Sequence, residues 1–216
     1  DHSFTRIPVA LFVELRAFGR HKYRAIIVCV FLSSLWDGWR KRNAKQDVWL
    51  SRRALNNALG YAESTIKRAL IDLRENGLIS VAREAKHTAA ESWSRHYRLS
   101  WMEGDGQKAH IYWGLLVSDR FRALSMTEQA VLILMHAELN RKRNELAIKP
   151  TTLTKFGVDS RVLRKCLDNF RHLGLIEHID RHMYSLTWID AEGKPDFSHL
   201  ENKGQKSRGT GIYGMG

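Results

Sequence analysis

The stretch from Ser51 to Ile79, SRRALNNALGYAESTIKRALIDLRENGLI, constrains the fold most, because its pattern returns 97 residues later. Gly60 and Gly77 stand 17 apart, and so do Gly157 and Gly174. With no gap between these glycines, Leu70 falls on Leu167, Arg74 on Arg171, Leu78 on Leu175 and Ile79 on Ile176. Ile66, Ala69, Leu70 and Leu73 likewise match Leu163, Cys166, Leu167 and Phe170. That spacing, i, i+3, i+4, i+7, is one buried stripe of a helix written twice.

Each copy reads as helix, tight turn, second helix, then strand. Ser51 is a natural N-cap for a helix over Arg52–Leu59, and Gly60 ends it where a left-handed residue is needed. A second helix is expected over Glu63–Glu75, stopped by Gly77 in the same way. In the second copy Pro150 suits a first helical turn and Asp159 suits an N-cap. This order, with a glycine, three or four residues and then TIKRALIDLRENGLI, resembles the winged-helix family of DNA-binding domains. The resemblance implies a mainly α chain with small β-hairpin wings, in two tandem winged helix-turn-helix domains over 1–106 and 107–190. A mobile basic tail over 191–216 is expected to follow, since it holds Lys203, Lys206 and Arg208 and its last segment has no acid.

The repeat extends beyond the motif. Lys22–Trp39 is apolar nearly all round and reads as a central helix; Thr127–Arg141 is its counterpart, with Thr127 and Glu128 as its start. Arg16-Ala17-Phe18 returns as Arg122-Ala123-Leu124 in the lead-in, so the unit is about 100 residues long. Phe4–Phe18 is expected to open with a strand or short helix. The endings YRLSW and YSLTW alternate with period two and close two hairpins, the candidate wings. Tyr97 and Tyr184 are 87 apart, so the first wing is 10 residues longer. Met102–Lys108 reads as the linker.

Charge follows the repeats. Between Arg40 and Ser100 there are 13 Lys/Arg against 6 Asp/Glu, and between Arg141 and Ser185 there are 10 against 5. These surpluses of 7 and 5 account for the whole net charge of +12. A protein that neutralises phosphates distributes its charge in this way, whereas solubility alone does not require charge to track a repeat. Cys29 and Cys166 lie on apolar faces in different copies, which suggests a reducing, cytoplasmic setting rather than a disulfide scaffold. No run approaches the ~20 apolar residues of a membrane span, and no signal-peptide pattern is present. Phosphate-loop, nucleophile-elbow and metal-ligand motifs are all missing, so neither catalysis nor a cofactor or metal is expected.

In a helix-turn-helix the second helix enters the major groove with its first turns facing base edges. Subtracting the buried stripe leaves Glu63, Ser64, Thr65, Lys67, Arg68 and Ile71 in the first copy. In the second it leaves Ser160, Arg161, Arg164, Lys165 and Asp168. Arg68, Arg161 and Arg164 suit guanine, whose O6 and N7 meet the planar guanidinium fork; Lys67 and Lys165 suit bases or phosphates. Ser64, Thr65 and Ser160 are placed to bond phosphates near a helix N-terminus. Arg52, Arg53, Lys149, Thr151, Thr152 and Lys155 belong to the first helix, which crosses the backbone. Lys86 and Arg95 on the long wing, and Arg181 on the short one, complete the candidates.

Paired winged helices in one chain resemble the initiators of iteron-bearing bacterial plasmids and some transcriptional regulators of mobile elements. The resemblance implies sequence-specific binding of double-stranded DNA in replication or transcription control. A second copy of the chain, or other replication or transcription proteins, would be further partners. Two other readings are compatible with the residues: a module that docks on protein, and an RNA or single-strand binder using its aromatic side chains.

Overall fold

The computed structural model describes residues 4–40, 47–84, 94–102, 106–140, 143–190 and 194–200. The chain is mostly α with small antiparallel sheets. Phe4–Pro8 forms strand β1, and Pro8, which has no N–H to donate, stands where the strand gives way to helix α1, Val9–Leu15. The opening stretch is thus strand and helix in succession. A short 3-10 segment, Arg16–His21, leads into the central helix α2, Lys22–Arg40. Residues Ala25 to Leu32 of α2 are essentially inaccessible on every side, as expected of a helix with no polar face.

The motif follows. Strand β2, Asp47–Ser51, runs into helix α3, Arg52–Leu59. Gly60 turns the chain at φ +69, and helix α4, Glu63–Glu75, buries Ile66, Ala69, Leu70 and Leu73. Strands β3, Ile79–Glu84, and β4, Ser94–Leu99, form the hairpin, and β2 joins it in a sheet of order β2-β4-β3.

The second copy starts at strand β5, Lys108–Tyr112, which takes Lys108 out of the expected linker. Short helices α5, Trp113–Val117, and α6, Asp119–Ala123, precede α7, Met126–Met135. Helix α7 starts earlier than expected because Ser125, not Thr127, caps it. The Ser125 hydroxyl accepts from the Glu128 amide at 3.4 Å, and the Glu128 carboxylate accepts from the Ser125 amide at 2.8 Å, a capping box. It also ends before Arg141, in a 3-10 turn over His136–Glu138, because Leu139–Asn140 pairs as strand β6 with β7, Glu145–Ala147.

A 3-10 turn, Thr152–Phe156, stands where the first copy has helix α3. The Thr152 hydroxyl accepts from the Lys149 amide at 2.8 Å, and the Thr154 hydroxyl donates to the Thr151 carbonyl at 2.7 Å. These local bonds compete with an α-helical ladder. Gly157 at φ +74 precedes helix α8, Ser160–His172, which buries Leu163, Cys166, Leu167 and Phe170. Strands β8, Ile176–Asp180, and β9, Met183–Leu186, complete a sheet of order β6-β7-β9-β8.

The copies join into one buried core. β1 and β5 pair antiparallel from Phe4 opposite Tyr112 to Pro8 opposite Lys108. Adding 104 to Phe4 and Pro8 gives Lys108 and Tyr112, so the ladder maps onto itself with a two-fold between the copies. Helices α2 and α7 pack together beside it, and the Phe12 ring of α1 meets Phe156 of the other copy edge-on at 6.0 Å.

Interior details differ between the copies. Trp101, just past β4, donates its indole N–H to the Ser33 hydroxyl at 2.9 Å. The 104-residue shift puts Ala137 at the position of Ser33, and the corresponding Trp188 has a buried indole N–H without a protein acceptor. Trp188 stacks instead on the fully buried His136 at 6.0 Å. Burial lowers the His136 pKa from 6.5 to about 4, against a bond to the Leu132 carbonyl that raises it. The folded protein therefore holds the neutral ring. Stability from this site is complete above pH 6.5 and is lost as pH falls toward 4, by about 3 kcal/mol for a shift of this size. Urea denaturation at pH 7 and pH 4.5 checks it: His136→Phe is expected to flatten part of the acid loss, and an unchanged slope would contradict the assignment.

The expected tail boundary at 191 is too early. Pro195 bridges Ile189, the Lys194 amide donates to Asp190 at 2.7 Å, and Leu200 is fully buried in a 3-10 turn, Ser198–Leu200. Phe197 covers Gly114 so closely that a methyl group there would sit 2.3 Å from the ring. Apolar burial thus carries the core to residue 200, and 201–216 lies outside the described residues. Among the described residues no helix is long and apolar enough to cross a membrane.

Candidate nucleic-acid interface

Helices α4 and α8 turn their apolar stripes inward, so their remaining faces carry the sequence candidates. On α4, Ser64, Lys67 and Arg68 are exposed, while Thr65 and Ile71 are half-buried. On α8, Arg161, Arg164, Lys165 and Asp168 are exposed, and Ser160 is half-buried.

Each helix is tied to the central helix of its own copy at an equivalent point. Arg24 of α2 pairs with Asp72 of α4 at 2.5 Å. The Asn169 amide of α8 donates to Glu128 of α7 at 2.7 Å. Residues 24 and 128 are 104 apart, and 72 and 169 are 97 apart, so the two ties occupy one place in the repeat with different chemistry. Each turn also rests on the other copy. The Tyr61 hydroxyl donates to Gln129 of α7, whose amide in turn donates to the Phe121 and Leu124 carbonyls at 3.0 and 3.1 Å. The Gly157 turn lies against Arg16, at the start of the 3-10 segment, and Lys22, at the start of α2. The sequence marked Glu128 as a helix start and Arg16 as part of the lead-in, but none of these contacts, because their partners are fixed only by folding.

Among the described residues, no carboxylate is within ion-pair distance of Lys67, Arg68, Arg161, Arg164 or Lys165. Lys165 faces Glu128 from farther off. Burial would raise the Glu128 carboxyl, but bonds from Ser125 and Asn169 and the Lys165 charge outweigh it and hold the group below its ordinary value. Such unpaired cations on a convex helix face are suited to polyanions.

Other candidates are already engaged. Lys155 pairs with Glu138 at 2.5 Å and lies over the Phe156 ring, so its charge serves the fold. Thr152 is half-buried with its oxygen accepting from Lys149, and it does not face a backbone freely. The Asp159 carboxylate accepts from the Arg161 amide at 2.7 Å. It therefore fills the N-terminus of α8 with negative charge, which argues against Ser160 as a phosphate ligand there. On α4 the N-cap is Ala62, with no side chain in that role. Lys149 and Thr151 are exposed. Arg181 is exposed at the tip between β8 and β9, at φ +33, its carbonyl accepting from the His178 ring at 3.0 Å. Lys86 lies outside the described residues, as do the side chains of Arg52, Arg53 and Arg95.

No protein-family model, curated protein or solved structure matches this chain.

Proposed function

We propose that the chain is a sequence-specific double-stranded DNA-binding protein of the tandem winged helix-turn-helix kind. On this reading α4 and α8 are the recognition helices, and the β3–β4 and β8–β9 hairpins are the wings. The observation that carries it is the set of exposed cations on both helices without carboxylate partners, each helix fastened to its central helix at the same point of the repeat. The two-fold relation between the copies supports a target with two half-sites, which one chain meets as a dimer of single domains would. The cellular role that fits is a cytoplasmic regulator or replication initiator of a bacterial plasmid or mobile element.

Titration of random duplexes at rising salt tests the reading. Binding is expected to weaken linearly in log–log form, with a slope of about −0.9 per phosphate contacted. Binding that is absent, or indifferent to salt, sinks the proposal. Tighter binding to RNA or to single strands would move it to the competing class. Selection from a random duplex pool then gives half-site symmetry and spacing.

A further inference from the structure

We infer that Arg16 and Lys22, which belong to the first copy, form a phosphate clamp beside the recognition helix of the second. The inference rests on the duplex reading above. Gly157 has no side chain, and a methyl group there would stand 2.9 Å from the Arg16 Cγ and 3.4 Å from the Lys22 ammonium. The bare turn thus leaves room for the Arg16 stem and the Lys22 ammonium of the other copy, a few residues ahead of Arg161 and one further turn from Arg164. Lys22 also sits 4.9 Å over the Tyr23 ring.

Bringing two like charges together is unfavourable unless something answers them. Burial, and then the Arg16 charge, push the Lys22 pKa down. Among the described residues no carboxylate is within ion-pair distance of either cation. Asp159 acts on the neighbouring Tyr23, and its oxygen already accepts from the Arg161 amide. Arg20 and His21, on the same lead-in, bond to each other and add no acid. The backbone of the turn is satisfied internally, since the Gly157 and Val158 amides donate to the Thr154 and Leu153 carbonyls. The cations are therefore the groups at this turn left to meet an anion. A phosphate of the strand bordering the groove that α8 enters has the required charge and place.

The first copy lacks this device. The β1–β5 register and the starts of α2 and α7 set the shift between the copies at 104 residues, not the 106 of the Arg16/Arg122 match in the lead-in, so Arg16 corresponds to Arg120 and Lys22 to Met126. Arg120 donates to the Leu173 carbonyl at 2.7 Å, Met126 is uncharged, and the space beside Gly60 is open. The clamp serves one half-site only.

The test compares the wild-type chain, R16Q/K22Q and the charge-preserving R16K/K22R on a duplex selected by the wild type, with R164A marking the half-site that α8 reads. R16Q/K22Q is expected to make the salt slope shallower by about 1.8, close to 0.9 per lost contact. Hydroxyl-radical protection should fade at phosphates beside the half-site affected by R164A, with the other half-site unchanged. R16K/K22R should keep the wild-type slope. If wild type binds but R16Q/K22Q leaves slope and footprint as they were, or weakens both half-sites equally, the clamp is wrong and the duplex reading stands. A wild type that binds no duplex overturns both.

Discussion

Replacing Arg68 and Arg164 together by alanine is expected to weaken binding to the preferred duplex by about 2–6 kcal/mol. A guanidinium meeting guanine in bidentate fashion is worth about 1–3 kcal/mol of discrimination. The two residues are on separate helices, α4 and α8, so their losses should add within a few tenths of a kcal/mol. Binding to random duplex should fall far less, since only two charges are lost and base readout contributes nothing there. Competition of a selected site against random DNA measures both quantities. Equal loss on both substrates would make these arginines phosphate contacts, and no loss on either would remove α4 and α8 from the interface. Lys155→Ala is the informative control. Its ammonium is already paired with Glu138, so duplex affinity should hold while stability drops slightly.

Phe156→Ala should destabilise the whole chain by about 3–5 kcal/mol, the usual cost of deleting a fully buried aromatic ring. Phe156 is inaccessible to solvent and touches Phe12, which the other copy contributes. Because the core runs through both copies, the loss should appear as an earlier midpoint of a single transition, with tryptophan fluorescence and circular dichroism coinciding. Phe12→Ala and Phe156→Ala should couple rather than add, because each removes the same contact. Two resolved transitions, with only the second shifted by Phe156→Ala, would show that the copies unfold independently.

Much of this was legible in the residue order because periodicity is local. The stripes at Ile66–Leu73 and Leu163–Phe170 marked α4 and α8, Asp159 marked the cap of α8, and the αL glycines placed the turns. The alternating ends YRLSW and YSLTW placed Tyr97, Leu99, Tyr184 and Leu186 on buried faces. What could not be read depends on partners far along the chain. Leu200 looks like part of a polar tail until Phe197 is seen over Gly114. The first helix of the second copy shrank to a 3-10 turn through threonine hydroxyls whose bonding choice is not written in a hydrophobic pattern. At the site, exposure of Lys67, Arg68, Arg161 and Arg164 followed from helical geometry alone. The engagement of Lys155 with Glu138, and the approach of Arg16 and Lys22 to Gly157, required the tertiary fold.

The self-mapping ladder of β1 and β5 gives the molecule an even-handed frame, but the faces mounted on it are unlike: Ser64, Lys67 and Arg68 on one side, Arg161, Arg164 and Lys165 on the other. A body of that kind has a head and a tail. Seated on any duplex it favours, it would point one way along the axis, so that what lies upstream of the complex is distinguished from what lies downstream without a second protein to set the direction.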